Sequence, residues 1–346
     1  MSPNSSSPLS LKERLRGRSK ESWRGASLEE RLFYLENDLV ALHPAITRPL
    51  NEIKRLSQRC QVTGNGRAIR IVSGSGGGKT HFLRLLKRLW PDEETDEVTR
   101  VRVVYFAVPG NPTQERLTKA MLQAMGDPAW NLKRDGLRRA YEIINEVGVY
   151  VIAIDNVQDI PEHRGMVGLR VATNWIRDLI EYSRCLVILV GTQASEEVVI
   201  SNPQTRRRDP TKFEIPYFRI DHPDKAARLK RFLREIDDLL PLAEFSDLQG
   251  FAAKIYWATY GIPDYIFKVL GEALEIAIKA GRERLIEEDL RSGFDLIFQD
   301  AGRDLNPFRD DGPRRELTQP GEPFAEWEFN ATISREKPTK KRVSTS

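Results

Sequence analysis

The sequence has little cysteine: only Cys60 and Cys185 occur among its 346 residues, with no histidine or cysteine near them at metal-ligand spacing. We therefore expect neither a disulfide framework nor a zinc site. No apolar run reaches about 18 residues, the length that a membrane-spanning helix needs. The Ser-, Pro- and Arg-rich N-terminus lacks the apolar segment of a secretory signal. These absences predict a cytoplasmic protein.

The sequence also lacks a strong excess of charge of either sign. It contains 54 Lys and Arg against 50 Asp and Glu, for a net charge of +4. This balance alone does not identify a nucleic-acid-binding protein, because many proteins are mildly basic. Hydrophobic residues make up 40%, which is ordinary for a globular chain.

Short apolar runs that favour strands alternate with helical patterns through the middle of the chain. The runs cover residues 68–72, 101–108, 149–154 and 186–190, with a weaker one at 213–220. Such an alternation predicts an α/β fold with right-handed crossovers and a mostly parallel sheet covered by helices. Ligands of such sheets bind at the carboxyl ends of the strands.

The composition predicts five regions along the chain. Ser27 to Glu30 has the pattern of a capping box that opens a helix. From residue 221 onward the strand signals stop, which predicts a small helical domain. In chain order we expect a disordered basic arm at 1–26, a helical segment at 27–60, an α/β core at 61–220, a helical lid at 221–303 and a mostly disordered tail at 304–346.

A glycine-rich segment follows the first predicted strand and opens a helix, which is the setting that a phosphate-binding loop requires. Its backbone N–H groups would surround nucleotide phosphates, its lysine would neutralise them, and its threonine would ligate Mg²⁺. Ser73 stands where the motif has glycine, and we expect Gly74 to supply the needed freedom. The predicted ATP-binding residues are Ser73, Gly74, Ser75, Gly76, Gly77, Gly78, Lys79, Thr80 and His81.

Asp155 ends the apolar run that begins at Tyr150. An acid at the end of a buried strand beside a phosphate-binding loop is typical of the Walker B motif, which helps to hold Mg²⁺. The alternative is an acid that only ends a strand. Together the two motifs predict an ATPase that binds Mg²⁺ and ATP through Thr80 and Asp155.

The arrangement of these motifs resembles that of AAA+ P-loop ATPases, with a helical lid after the core. Most members have a glutamate at position 156, where this sequence has Asn156. An amide orients water but cannot accept its proton, so the resemblance implies slow hydrolysis. Asp159 is a candidate substitute, and the sequence leaves its role open.

Two further catalytic assignments depend on the same resemblance. AAA+ proteins place a polar sensor residue after the fourth strand, here Thr192 or its neighbour Gln193, although a polar loop without that role is the alternative. An arginine that reaches a neighbouring subunit's phosphate is expected among Arg206, Arg207 and Arg208. A solvated basic loop or a DNA-phosphate contact is the competing interpretation.

Within AAA+ proteins the sequence resembles the TniB/TnsC transposition ATPases, with IstB/DnaC-like loaders as more distant relatives. The similar blocks are residues 43–48 (HPAITR), 109–126 and the Gly-Thr pair at 191–192 with its downstream arginines. The resemblance covers about residues 28–297. It implies an ATP-dependent homo-oligomer, a ring or helical filament, that binds duplex DNA and links a transposase to a TniQ-like target-selection protein.

Arg116 and Lys119 follow the second strand, where AAA+ assemblies commonly face their channel, and are the predicted DNA contacts. Basic residues at 133–139 and a merely solvated helix face are the alternatives. Two other functions remain open at this point. A helicase loader would share the ATPase core, and a signalling NTPase is disfavoured by the lack of a predicted folded domain after Arg303.

Overall fold

In the computed structural model, the described residues are 18–94, 99–131, 136–196, 198 and 211–325, without the side chains of 161–168. The chain forms two compact units. Of the described residues, the first unit comprises those in 42–217, and the second comprises 18–41 and 218–325. Within the described residues, no helix is long and apolar enough to cross a membrane.

The first unit contains a five-stranded sheet in the order β4-β5-β6-β1-β7, in which every neighbouring pair is parallel. Val72 pairs with Gly191, and Ala107 pairs with Asp155, so the carboxyl ends of four strands lie at one edge. A separate hairpin is formed by β2 and β3. The strands are β1 (Arg67–Val72), β2 (Glu93–Glu94), β3 (Thr99–Arg100), β4 (Val103–Ala107), β5 (Val151–Asp155), β6 (Leu186–Gly191) and β7 (Lys212–Glu214).

Helices cover both faces of this sheet. One face packs on α4, α5 and α6, with Met121, Ile144 and Trp175 in the shared core. On the other face α2 contacts β6 and β7, and α3 contacts β4. Every residue of β5 and β6 is buried, as expected for central strands between two helical layers. The helices of this unit are α2 (Pro44–Thr63), α3 (Lys79–Leu89), α4 (Gln114–Ala124), α5 (Gly136–Val147) and α6 (Asp159–Ser183).

The predicted α/β class with a mostly parallel, covered sheet is confirmed. The four strong apolar runs are strands, and the weaker run at 213–220 contributes only the short β7. Ser27 caps the following helix by accepting a bond from the Glu30 N–H at 3.1 Å, as the capping box predicts. Cys60 and Cys185 are both buried in the core.

The second unit is helical. It contains α1 (Leu28–Phe33), α7 (Pro223–Leu239), α8 (Ala252–Thr259), α9 (Pro263–Lys279) and α10 (Glu287–Ile297). A five-residue π-helical turn at Tyr34–Asp38 follows α1. The segment predicted as one helical region at 27–60 is therefore divided between the two units.

Arg31 explains why the chain before residue 42 belongs to the helical unit. Its side chain is only 4% exposed and forms a bidentate ion pair with Glu283, with both N···O distances at 2.9 Å. The remaining N–H groups donate to the carbonyls of Trp23, Ala26 and Pro241. A buried guanidinium with every donor satisfied attaches this segment to the unit.

The chain after residue 304 also differs from expectation, since its first part is not a tail. Phe308, Leu317 and Phe324 are buried, and Phe324 stacks on Tyr260 with ring centroids 5.7 Å apart. Apolar burial therefore extends the helical unit to residue 325, despite the many Pro, Gly and charged residues of this stretch. The basic run at 335–342 lies outside the described residues.

Candidate nucleotide-binding site

The glycine-rich loop connects the end of β1 to the first turn of α3 at the carboxyl edge of the sheet. Gly76 and Gly78 have φ angles of 68° and 92°, in the left-handed region that favours glycine. Gly78 is the N-cap of α3, so the helix begins at Lys79. This arrangement places backbone N–H groups and the positive end of a helix dipole at the edge where ligands of parallel sheets bind.

Ser73 is compatible with the loop because its side chain points away from the phosphate side. It is 2% exposed, and its hydroxyl donates to the carbonyl of Ile215 at 2.7 Å. A Cβ atom at Gly77 would lie 1.9 Å from this Ser73 Oγ. The departure from the motif at position 73 is therefore matched by a glycine at position 77.

Gly74 is required by a neighbour that the sequence did not indicate. A Cβ atom there would lie 2.1 Å from the Tyr217 hydroxyl. That hydroxyl donates to the carbonyl of Ser75 at 2.6 Å. Tyr217 and Ile215 follow β7, so the edge strand carries the segment that supports the loop.

Lys79 donates to two carbonyls of the loop, at 3.1 Å to Ser73 and 2.8 Å to Gly74. Burial lowers the pKa of its ammonium, and the charge of Asp155 opposes that shift. A desolvated lysine whose hydrogen bonds go to neutral carbonyls interacts more strongly with anionic phosphates than a solvated lysine does.

Asp155 ends β5 and is 4% exposed. Burial raises the pKa of its carboxyl group, while the N–H of Asn156, which donates to it at 2.8 Å, and the charge of Lys79 lower it. The charge of Asp159 raises it further. The structure thus brings Lys79, Asp155 and Asp159 into one electrostatic group.

Asn156 has a φ angle of 57°, in the left-handed region that asparagine tolerates better than glutamate. The side-chain oxygen Oδ1 of Asn156 accepts a hydrogen bond from the Gln158 amide nitrogen at 3.4 Å. Asp159 is the first residue of α6, and its carboxylate accepts from the same Gln158 amide at 3.1 Å. Asp159 therefore shares the Gln158 amide with Asn156, and its charge acts on the Walker B carboxylate.

Of the two sensor candidates, Thr192 faces the Walker B loop. Its N–H donates to the Gln158 side-chain carbonyl at 3.1 Å. Gln193 is exposed, and its side-chain carbonyl accepts from Lys212 at 3.2 Å. Thr192 is thus bonded to the Walker B loop through its backbone, whereas the Gln193 side chain is bonded to Lys212.

His81 lies in the first turn of α3, one residue beyond Thr80. Burial lowers its pKa, with Arg84 and Arg88 adding to the shift. His43, the N-cap residue of α2, has its pKa lowered to about 4 by burial and by proximity to His81. The histidine next to the phosphate loop is therefore neutral at pH 7.

The model of the family described as bacterial TniB protein matches residues 31–218, which is more than half of the chain. The chain belongs to the TniB family. None of the curated proteins matches it by sequence.

Solved structures with a similar fold are AAA+ ATPases, at low sequence identity. The ORC2 protein of Aeropyrum pernix, solved as ADPNP–ADP complexes, has a TM-score of 0.57 and 15% identity over 76% of this chain and 71% of its own. The corresponding values for Cdc6p of Pyrobaculum aerophilum are 0.52, 18%, 75% and 70%. This likeness establishes the fold alone: the TniB-family chain has the fold of AAA+ P-loop ATPases.

The predicted DNA contacts of this TniB-family protein lie on α4. Arg116 is exposed and donates to the carbonyl of Gly110 at 2.9 Å. Lys119 is 22% exposed and pairs with Glu115 at 2.9 Å. The candidate trans-acting residues Arg206, Arg207 and Arg208 lie outside the described residues.

Two residues of the TniB-family site were not found from the sequence. Tyr217 follows a short strand with no motif around it, and Gln158 lies in the loop after Asp155, outside the Walker B motif itself. Their roles depend on contacts with residues more than thirty positions away, so no local pattern indicated them.

Proposed function

We propose that this protein is an ATP- and Mg²⁺-dependent regulator of DNA transposition. It assembles on duplex target DNA and links a TniQ-like target-selection protein to the transposase. The match to the TniB family over residues 31–218 carries this proposal, and the resemblance to TnsC-type transposition ATPases supports it.

ATP binds in the cradle formed by residues 73–80. Lys79 exchanges its two carbonyl partners for phosphate oxygens, and the N-terminus of α3 stabilises their charge. The Thr80 hydroxyl and the Asp155 carboxylate supply oxygen ligands of the type that Mg²⁺ prefers. Bound Mg²⁺ would neutralise charge that develops on the phosphates. Among the described residues no three His, Cys, Asp or Glu side chains form a separate metal site.

Hydrolysis is slow because the residue after Asp155 cannot act as a general base. Asn156 orients water through its amide, and Asp159 is the nearest carboxylate in sequence that also interacts with Asp155. A slow hydrolysis step suits a protein whose ATP-bound assembly marks a DNA site, since the assembly persists until ATP is cleaved.

Arg116 and Lys119 contact DNA phosphates without reading sequence. Arg116 uses one of its five N–H donors for Gly110, which leaves the others for phosphate oxygens. The partner of Lys119 is a surface glutamate, and such pairs are worth only about 0.2–1 kcal/mol. Exchange of Glu115 for a phosphate therefore costs little.

Assembly requires contacts between subunits, for which Arg206 to Arg208 are the proposed trans-acting residues. Electron microscopy of the protein with duplex DNA and a non-hydrolysable ATP analogue tests the proposal. We expect rings or filaments on DNA, and impaired assembly and hydrolysis when these arginines are changed to Ala. Isolated monomers at micromolar concentrations and above would contradict it.

Salt dependence tests the DNA contacts. Binding should weaken with salt by about 0.9 in log-log slope per neutralised phosphate. Arg116→Ala with Lys119→Ala should weaken binding on all sequences, flatten the slope and leave ATP affinity unchanged. Arg291→Ala with Lys279→Ala is the matched control, because it removes the same charge from residues paired with Glu288 and Glu275 in the helical unit.

A further inference from the structure

Gln158 connects the Walker B loop to the end of the neighbouring strand. Its amide nitrogen donates to Asn156 Oδ1 at 3.4 Å and to Asp159 Oδ1 at 3.1 Å. Its carbonyl oxygen accepts from the Thr192 N–H at 3.1 Å. Because the two acceptors face the nitrogen and the donor faces the oxygen, only one orientation of the amide satisfies all three contacts.

The strand end is shaped to admit this side chain. A Cβ atom at Gly191 would lie 2.7 Å from Gln158 Oε1 and 2.9 Å from the Ser195 Cβ. Ser195 in turn donates to the carbonyl of Thr192 at 2.6 Å, which fixes the turn after β6. The absence of a side chain at position 191 therefore provides the space in which the Gln158 amide meets Thr192.

Two of the groups that Gln158 connects, Asn156 and Asp159, interact with the Walker B carboxylate. Asn156 and Asp159 lie on either side of Gln158 in sequence, and Asp159 interacts electrostatically with Asp155. Thr192 begins the segment that leads toward Arg206. The backbone of this loop is bonded to β6 through the Val157 N–H, which donates to the Val190 carbonyl at 3.1 Å. The Gln158 amide adds a connection from the side chains of Asn156 and Asp159 to Thr192.

We propose that Gln158 is a positioning residue for ATP hydrolysis, which holds the side chains of Asn156 and Asp159 in register with Thr192. This inference rests on the ATPase activity proposed above. Residues that orient catalytic groups act mainly on turnover, and a displacement of about 1 Å costs on the order of 100-fold in rate. Nucleotide binding depends on the loop at 73–80, whereas the side-chain bonds of Gln158 go to Asn156, Asp159 and Thr192, so binding should be unaffected.

The test compares substitutions that remove different contacts. Gln158→Met keeps the length of the side chain and loses all three bonds. Gln158→Glu keeps an acceptor for Thr192 but cannot donate to Asn156 or Asp159. Gly191→Ala leaves Gln158 in the chain and displaces its amide. Gln61→Met is the matched control, since Gln61 bonds the distant carbonyl of Val149.

We expect the three site variants to lower kcat by about 10- to 100-fold, with the dissociation constant for a non-hydrolysable ATP analogue and the melting temperature close to wild type. If Gln158 acts through Asp159, the double variant Gln158→Met/Asp159→Asn should be no slower than Asp159→Asn alone. Gln61→Met should retain wild-type kcat.

Full-rate hydrolysis by Gln158→Met would overturn the inference by itself, and a double variant whose losses multiply would overturn the action of Gln158 through Asp159. A lower melting temperature with unchanged kcat would assign Gln158 a structural role and also overturn it. Wild-type protein that binds ATP without hydrolysing it would instead overturn the proposed ATPase activity, and this inference with it. Gly191→Ala keeps the test decisive if a substitution at Gln158 prevents folding.

Discussion

The fit between Ser73 and Gly77 leads to a prediction about the phosphate loop. In Gly77→Ala, the new Cβ would lie 1.9 Å from Ser73 Oγ, far inside the 3.4 Å at which ordinary van der Waals contact begins. The Ser73 hydroxyl must then leave the carbonyl of Ile215, which it now contacts at 2.7 Å. Without nucleotide, the loop avoids this clash by shifting. Nucleotide binding requires the original loop conformation, so the free-energy cost of the clash lowers the affinity for nucleotide.

The magnitude follows from these two contacts. Loss of a buried hydrogen bond costs about 1 kcal/mol, and overpacking costs about 1–3 kcal/mol. Together they amount to about 2–4 kcal/mol, or roughly 30- to 700-fold in affinity at 1.4 kcal/mol per factor of ten. Ser73→Gly removes the obstructing hydroxyl, so the double variant Ser73→Gly/Gly77→Ala should return to within about tenfold of wild type.

Titration of a fluorescent ATP analogue into the four proteins of this double-mutant cycle measures the coupling. Gly110→Ala is the matched control, because a Cβ there meets nothing within 4 Å. Wild-type affinity in Gly77→Ala would refute the argument. So would a double variant as weak as Gly77→Ala, since the Ser73 hydroxyl would then not be the obstruction.

Three further predictions concern the proposed catalytic residues. Lys79→Ala should abolish ATP binding measured by the same titration, whereas Lys87→Ala, on the exposed side of the same helix, should not; unchanged affinity in Lys79→Ala would remove the phosphate-loop assignment. Asn156→Glu should raise the ATPase rate by up to about 10²- to 10⁴-fold and lower the melting temperature, because glutamate at φ 57° costs about 1 kcal/mol or more. Asn156→Gln, the control, should lower the melting temperature without raising the ATPase rate. Rapid hydrolysis by the wild type that Asn156→Glu leaves unchanged would contradict this prediction and favour Asp159 as the general base. Asp155→Asn should abolish Mg²⁺-dependent binding yet raise the melting temperature of the nucleotide-free protein. Folding raises the pKa of Asp155, so the stability of the wild type falls as pH rises from the ordinary aspartate pKa toward the raised one. Asp155→Asn has no ionisable group at this position and avoids that loss of stability. A lower melting temperature of Asp155→Asn at pH 7 would contradict this reasoning.

The sheet and the phosphate loop were predictable because their signals are local. Each central strand is a short apolar run, buried on both faces, and each is followed by a helical pattern. The residue types of the segment from Gly76 to Thr80 are set by the backbone conformation of the loop and by the charge of the phosphates. Both requirements act within one short segment of sequence. The predicted strand ends at residues 72 and 154 differ from the observed ends by no more than one residue.

The supporting contacts were not predictable because they join distant parts of the chain. Gln158 meets Thr192 thirty-four residues later, and Tyr217 meets Ser75 across 142 residues. The prediction of a disordered tail from residue 304 was wrong for its first part, because Phe308 and Phe324 are buried although the stretch is rich in Pro, Gly and charged residues. The buried ion pair between Arg31 and Glu283 similarly attaches an N-terminal segment to the helical unit. The helical pattern of that segment alone did not indicate which unit it joins.

Binding of labelled duplex DNA as a function of nucleotide tests the central claim most directly. Fluorescence anisotropy would be measured with ATP, with ADP and without nucleotide, on duplexes of unrelated sequence, for the wild type and Lys79→Ala. We predict tight binding by the wild type only with ATP, equal on all duplexes, and none by Lys79→Ala. Binding that is indifferent to nucleotide, or that Lys79→Ala retains in full, would contradict the account.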